Sequence, residues 1–377
     1  MESCIDFLEC LETDMVLNIL KCMDDPADLL RASIVSRGWR DFVVANKLSK
    51  ILCVGRFPQL ANVVDVAEFN CKKTVSTDVG SSSSSEREIL SSDHKAFASL
   101  LHTLTKLIPS PTECIKEAFS ASSTDNYPDE SVVHTLDPRD RFARRASYWS
   151  SKGQKDPSVP ETLIYKLKSD FCVITEIDIQ PFEAFFQMGY PIYSANSVRF
   201  RFGHPKSINE VENFESLEGP ADDKFIWTYT SPKFPMVQEN RLQHFKFPEP
   251  VLCMGGFLLV ELLGRVQRQE MDGLFYICIA HVKVLGQPLS PAFNVEVVEP
   301  SGKFVLKYFP ELLPQTLLSA SKDREQEAAP THLVASEEML WGHVGLLEYL
   351  VGGGLEEDDD DEAGGWDEEN EMDQFIL

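Results

Sequence analysis

The chain has little basic charge and few of the features that mark a secreted or membrane-spanning protein. Its 377 residues hold 35 Lys and Arg against 60 Asp and Glu, a formal charge of −25. Many of the acids crowd into "EEDDDDEAGGWDEENEMD", from Glu356 to Asp373, yet the rest of the chain is still acidic. That balance argues against a nucleic-acid backbone or an anionic membrane as the main partner. The 9 cysteines are scattered singly with no CxxC pair, which argues against a disulfide framework and for a reducing compartment. No N-x-[ST] acceptor occurs. The opening "MESCIDFLEC" has acids and no basic residue, so it does not read as a secretory signal. The longest apolar run, "VLCMGGFLLV" from Val251, stops at Glu261, short of the ~18 residues a membrane span needs. The expected location is the cytoplasm, the nucleus or both.

Catalytic signatures are missing too. There is no GxSxG, GxGxxG, GxxxxGK[ST] or HExxH, and "SGK" at Ser301 lacks a glycine-rich lead. His204, His244 and His281 fall in the β-rich part without metal-ligand spacing, and His281, inside an apolar strand, reads as a core histidine with a partner. Cys172, Cys253 and Cys278 lie in apolar runs, where cysteine acts as a small hydrophobe. No enzyme activity, cofactor or metal is expected.

What is present divides by period. Hydrophobic residues make up 43% and aromatics 10%, enough for two or three packed domains. In "TDMVLNILKCM", Met15, Val16, Ile19, Leu20 and Met23 recur at helical spacing, with Thr13 or Asp14 as cap. "DDPAD" restarts the chain: Asp25 suits an N-cap, Pro26 the first helical position and Asp28 the first turn. Leu29, Leu30 and Val35 give the second helix its apolar side. Trp39, Phe42 and Val43 mark a third, extended by Leu48, Ile51 and Leu52.

The spacing predicts a Ser-rich linker over 54–93 and a helical segment over 94–145. In that segment Phe97, Leu100, Leu101, Leu104 and Leu107 precede Pro109, and "TECIKEAFSAS" forms a second helix. From Ala146 the period becomes two. "VRFRF", "FIWTY" and "FCVITEIDI" alternate, and "GGFLLVELLG" and "LFYICIAHVKVLG" are nearly continuous apolar strands between Pro- and Gly-punctuated loops. An antiparallel sandwich or jelly roll is expected over 146–290. Over 291–352, "KFVLKYF" suits a strand, "PELLPQTLLSA" a short helix and "SEEMLWGHVGLLEYLV" a longer one. The acidic tail over 353–377 is expected to be disordered. It reads as a solubilising terminus, although Trp366 and the terminal "FIL" leave open a role in binding a basic partner.

The N-terminal register, Leu29, Leu30, Arg31, Ile34, Val35, Ser36, Trp39 and Arg40, resembles the F-box, a motif of short helices over about the first fifty residues (here 1–53). The family usually opens with Leu-Pro; here Leu11 is followed by Glu12. A helical element of ~40 residues cannot bury all its apolar surface alone. The resemblance implies that the remainder docks on a Skp-family adaptor and through it a cullin–RING ligase, by way of Leu11, Ile19, Leu20, Leu30, Ile34, Val35 and Trp39. "RRASYWSSKGQKDPSVPETLIYKLKSDFCVITEIDIQPF", with "FPEPVLCMGGFLLVELLG" and "IAHVKVLG", is similar to discoidin-type, galactose-binding-like jelly rolls. The whole chain resembles a plant-type F-box protein, an α+β multidomain chain with an N-terminal F-box, a helical linker and a C-terminal β-sandwich. It would be a non-catalytic substrate receptor of an SCF-type (Skp–cullin–F-box) ubiquitin ligase, binding a target protein or glycoprotein. Sandwich ligands sit in loops at one end, which makes Trp149, Tyr190, Tyr193, Phe234 and Arg241 the candidate contacts. The alternative is a stand-alone lectin-like or peptide-binding sandwich whose helices serve only its own core.

Overall fold

The computed structural model describes residues 6–23, 26–69, 82–106, 111–142, 145–207, 220–298 and 301–313. The N-terminal helices are α1 (Phe7–Cys10), α2 (Thr13–Lys21), α3 (Pro26–Val35), α4 (Arg37–Ala45) and α5 (Leu48–Arg56). They close on Val16, Leu20, Leu29, Ala32, Val43 and Leu48. Each of these valine and leucine side chains contributes roughly 1.5–3 kcal/mol when fully buried. Several details differ from expectation. Glu12, not Thr13 or Asp14, occupies the cap position of α2. The third helix does not run on to Leu52: Lys47 turns left-handed at φ 51°, and the Asn46 amide donates to the Phe42 carbonyl at 2.8 Å. The chain therefore turns and starts α5. The expected cap Asp25 lies outside the described residues.

Beyond α5, a 3₁₀ turn at Pro58–Asn62 leads into β1 (Val63–Glu68), and α6 spans Ser82–Lys106. The stretch expected as a linker thus holds the end of α5, the 3₁₀ turn, β1 and, in its Ser-rich part, the first turns of α6. The strands that follow are β2 (Ile115–Ala121), β3 (Glu161–Leu167), β4 (Phe171–Glu183) and β5 (Ala195–Pro205). Then come β6 (Phe225–Thr230), β7 (Gln243–Met254), β8 (Phe257–Arg265), β9 (Cys278–Pro288), β10 (Phe293–Val298) and β11 (Lys303–Tyr308). "TECIKEAFSAS" is strand, not helix. Ile115 and Phe119, four apart, suit either period, and pairing with β3 decides it. The register shifts twice along this pair.

The strands form two facing antiparallel sheets, in the orders β6-β5-β8-β3-β2 and β7-β4-β9, the latter continued by Thr112–Glu113. This is the expected jelly-roll sandwich. Alternation along β4 sends Ile177 and Ile179 inward to meet Tyr165, Phe200, Phe202, Leu258, Val260 and Val284.

A third sheet, β1-β11-β10, pairs β1 parallel to β11. With α5 and α6 it encloses a second core. Cys53, Phe57, Phe97, Leu101, Phe293, Phe304 and Leu306 meet Phe171, Val173, Leu252 and Met254 on the outer face of the sandwich. β10 and β11 are therefore built into a core and not peripheral. The start of "PELLPQTLLSA" is a 3₁₀ turn, Pro310–Leu312; Leu107, that segment from Pro314 on, the helix expected from Ser336 and the acidic tail lie outside the described residues.

Candidate functional site

Two places carry unusual surface chemistry. The first is helical. Ile19 is 47% exposed and Val35 63%, while Leu20 is 1% exposed. Met15 and Ile34 are open as well, and Leu30 is buried. One turn separates Met15 from Ile19, so the pair lines one stripe of α2 while Val16 and Leu20 line the neighbouring, buried stripe. Leu11 and Trp39 are half-buried against the helical core. The Trp39 indole donates to Asp6 Oδ1 at 2.9 Å. Of the expected adaptor contacts, then, Ile19, Ile34 and Val35 are open to a partner, and Leu20 and Leu30 are core residues. Met15 was legible in the same spacing.

The second is a pocket of about 230 Å³ at one loop end of the sandwich. Its walls come from the loop after β2 (Asp125, Asn126, Glu130), the Tyr148–Ser150 segment, the loop after β4 (Ala184, Phe186, Gln187) and Tyr193, Gln269 and Tyr276. Tyr148 stacks on Phe182 with ring centroids 3.9 Å apart, and Tyr193 meets Tyr276 edge-on at 6.2 Å.

Three tyrosine hydroxyls act as donors: Tyr148 to Glu130 Oε1 (2.6 Å), Tyr193 to Gln187 Oε1 (2.7 Å) and Tyr276 to Asp272 Oδ2 (2.6 Å). Burial, with the Glu130 hydrogen bond, raises the Tyr148 pKa, and burial pushes Tyr193 up to about 12. These hydroxyls therefore keep their protons. Glu130 Oε2 is buried and accepts no hydrogen bond from any described residue. Burial raises the Asp125 pKa, with Glu130 and Asp272 adding to the effect. Phe186, Met188 and Tyr190 project from one flanking loop and Met271 from another.

Arg265 at the end of β8 organises this end. Its guanidinium is buried and donates to Ser151 Oγ (2.8 Å), Lys152 O (3.0 Å), Phe275 O (3.1 Å) and Val159 O (3.1 Å). It also pairs with Glu161, whose other oxygen accepts from Ser122. One side chain thereby ties together segments that are distant in sequence.

Of the expected substrate contacts, Tyr193 lines the pocket and Tyr190 stands exposed on the flanking loop. Trp149 does not serve. It is fully buried in the sandwich core, and its indole donates to the Ser123 carbonyl at 3.0 Å. Phe234 packs on Phe245 and Phe247, and Arg241 is exposed and paired with Glu239.

Among the histidines, His281 Nδ1 sits 2.8 Å from the Thr135 carbonyl, as a core histidine with a partner. Strand register brings His244 opposite Asp178, and its Nδ1 lies 2.8 Å from Asp178 and 3.0 Å from Glu176. These three offer one nitrogen and two oxygen ligands to a cation, but each is already engaged with the others. Burial raises the Asp178 pKa.

The F-box domain family matches residues 8–50, from α1 into α5. F-box protein At4g00755 of Arabidopsis thaliana is 52% identical over 311 residues, 80% of this chain and 82% of that protein. The chain belongs to the F-box protein family. F-box proteins are in general non-catalytic adaptors, and the domain implies a Skp-binding, substrate-adaptor role in SCF ligases.

Two solved structures are also similar. One is a family 32 carbohydrate-binding module from C. perfringens NanJ in complex with galactose: 12% identity, TM-score 0.28, 45% of this chain and 98% of that one. The other is an F5/8 type C domain from Bacteroides fragilis: 12% identity, TM-score 0.31, 48% of this chain and 100% of that one. None of the described helices is long and apolar enough to cross a membrane.

Proposed function

We propose that this F-box protein is the substrate receptor of an SCF-type ubiquitin ligase of the cytoplasm or nucleus. Met15, Ile19, Ile34 and Val35 meet the Skp-type adaptor, while Leu11, Leu20, Leu30 and Trp39 hold the helices that present them. The loop-end pocket holds the target. The ligase's other subunits transfer ubiquitin, and this chain supplies proximity, making a bimolecular encounter effectively intramolecular.

The observation that carries this reading is the apolar side chains left exposed on α2 and α3. The helices already have a closed core of their own, so these side chains are free to desolvate against a second protein. Mixing the purified full chain with a Skp-type adaptor, followed by size-exclusion chromatography with light scattering, tests it. A 1:1 complex is expected; two separate species contradict it.

A further inference from the structure

The loop-end pocket has a charge that its rings alone would not give it. Asp125 and Glu130 line it, and no Lys, Arg or His does so among the described residues. Glu130 has one oxygen satisfied by Tyr148 and the other buried with no donor among the described residues. Arg145 lines the neighbouring groove with Glu130 and Tyr148 but does not supply that donor. A third acid, Asp272, stands behind Tyr276. An anion is therefore repelled, and a cation is attracted by the carboxylates that line the pocket.

Size and ring exposure narrow the choice. About 230 Å³ suits a single side chain better than a drug-sized ligand, for which ~300 Å³ is the lower end. Tyr148 and Phe182 cover each other's faces and are both buried, so neither offers an open ring for a sugar to stack on. Phe186, 56% exposed although it also touches Tyr148, Phe182 and Phe185, is the most open of the described lining rings and can cover an alkyl stem or a cation.

We propose that this pocket receives a lysine or arginine side chain of the target protein, its stem against Phe186 and its charge on Glu130 and Asp125. The inference rests on the receptor reading and specifies its substrate class. It also fits the acidity of the whole chain, which draws in basic partners.

The test uses the full chain bound to a Skp-type adaptor and capped Gly-Gly-X-Gly-Gly peptides, with X as Arg, Lys, norleucine or Glu. Binding is read by saturation-transfer NMR, beside galactose as a neutral probe. The Arg or Lys peptide should bind roughly tenfold more tightly than the norleucine peptide, and Glu130→Gln and Asp125→Asn should each remove most of that preference. Glu130→Gln keeps the side chain's shape and an acceptor for Tyr148, and Asp125 is exposed, so both variants should stay folded and keep the adaptor. Equal binding of Arg, Lys and norleucine, a preference that survives both substitutions, or galactose as the sole ligand overturns the proposal. If the cationic peptides bind but the adaptor does not, the receptor reading fails and the pocket assignment stands. If the adaptor binds and no cationic peptide does, the reverse holds.

Discussion

Ile19 and Leu20 are neighbours on α2 that point in different directions: Ile19 is 47% exposed and Leu20 is 1% exposed in the core with Val16, Leu29 and Val43. Substitutions at the two positions therefore report different things. Leu20→Ala should destabilise the helical domain by about 2–5 kcal/mol, the transfer and cavity cost of a buried leucine, and Leu20→Asp should unfold it. Ile19→Ala should change stability little. Thermal melts followed by circular dichroism check both, and a loss of adaptor binding by Leu20→Asp would say nothing about docking.

Arg265 and Glu161 form an ion pair with both side chains buried. Removing one partner leaves the other charged and unpaired, which costs about 3–5 kcal/mol. Arg265→Met should lower the urea midpoint accordingly and weaken ligand binding at the loop end, because the Ser151, Lys152, Val159 and Phe275 contacts go with it. Adding Glu161→Leu should restore part of the stability. A double variant no more stable than Arg265→Met alone would show that the pair's backbone contacts, not its charge, matter.

Asp125 sets a pH dependence. Burial, Glu130 and Asp272 raise its pKa, and Lys152 opposes them. A carboxyl raised in the fold favours the protonated folded state. Its contribution to stability is complete below the unfolded value of about 4 and is lost as pH rises through the folded value. Binding of a cation runs the other way, since it needs the ionised form. Affinity for the arginine peptide should therefore fall on acidification from a pH above the ordinary carboxylate range. Asp125→Asn should remove that early part of the fall. A peptide titration repeated across pH, in wild type and variant, checks this.

The helical domain was legible because its signal is local: "DLLRASIVSRGWRDF" fixes spacing and turns within a few residues. The long strands were legible by alternation. β1 was not, because Val63–Glu68 is short and its partner, Lys303–Tyr308, lies far along the chain. β2 read as helix because Ile115 and Phe119 fit both periods and only the neighbouring strand decides. At the site, periodicity could not tell the exposed Ile19 from the buried Leu20, nor a loop aromatic from the buried Trp149. The pocket draws Asp125, Tyr148, Phe186 and Tyr276 from four segments, and nothing local marks Arg265, at the end of an apolar run, as a tie between them. Tertiary contact alone makes these a site.

The most direct test of the receptor role compares the full chain with Ile19→Asp/Val35→Asp in co-purification with a Skp-type adaptor and a cullin. Both positions are exposed, so the variant should melt like wild type, yet a charge in a face that must desolvate costs several kcal/mol. Wild type should bring down both partners and the folded variant neither. A folded wild type that captures no adaptor, or a variant that captures it as well as wild type does, would contradict the receptor role.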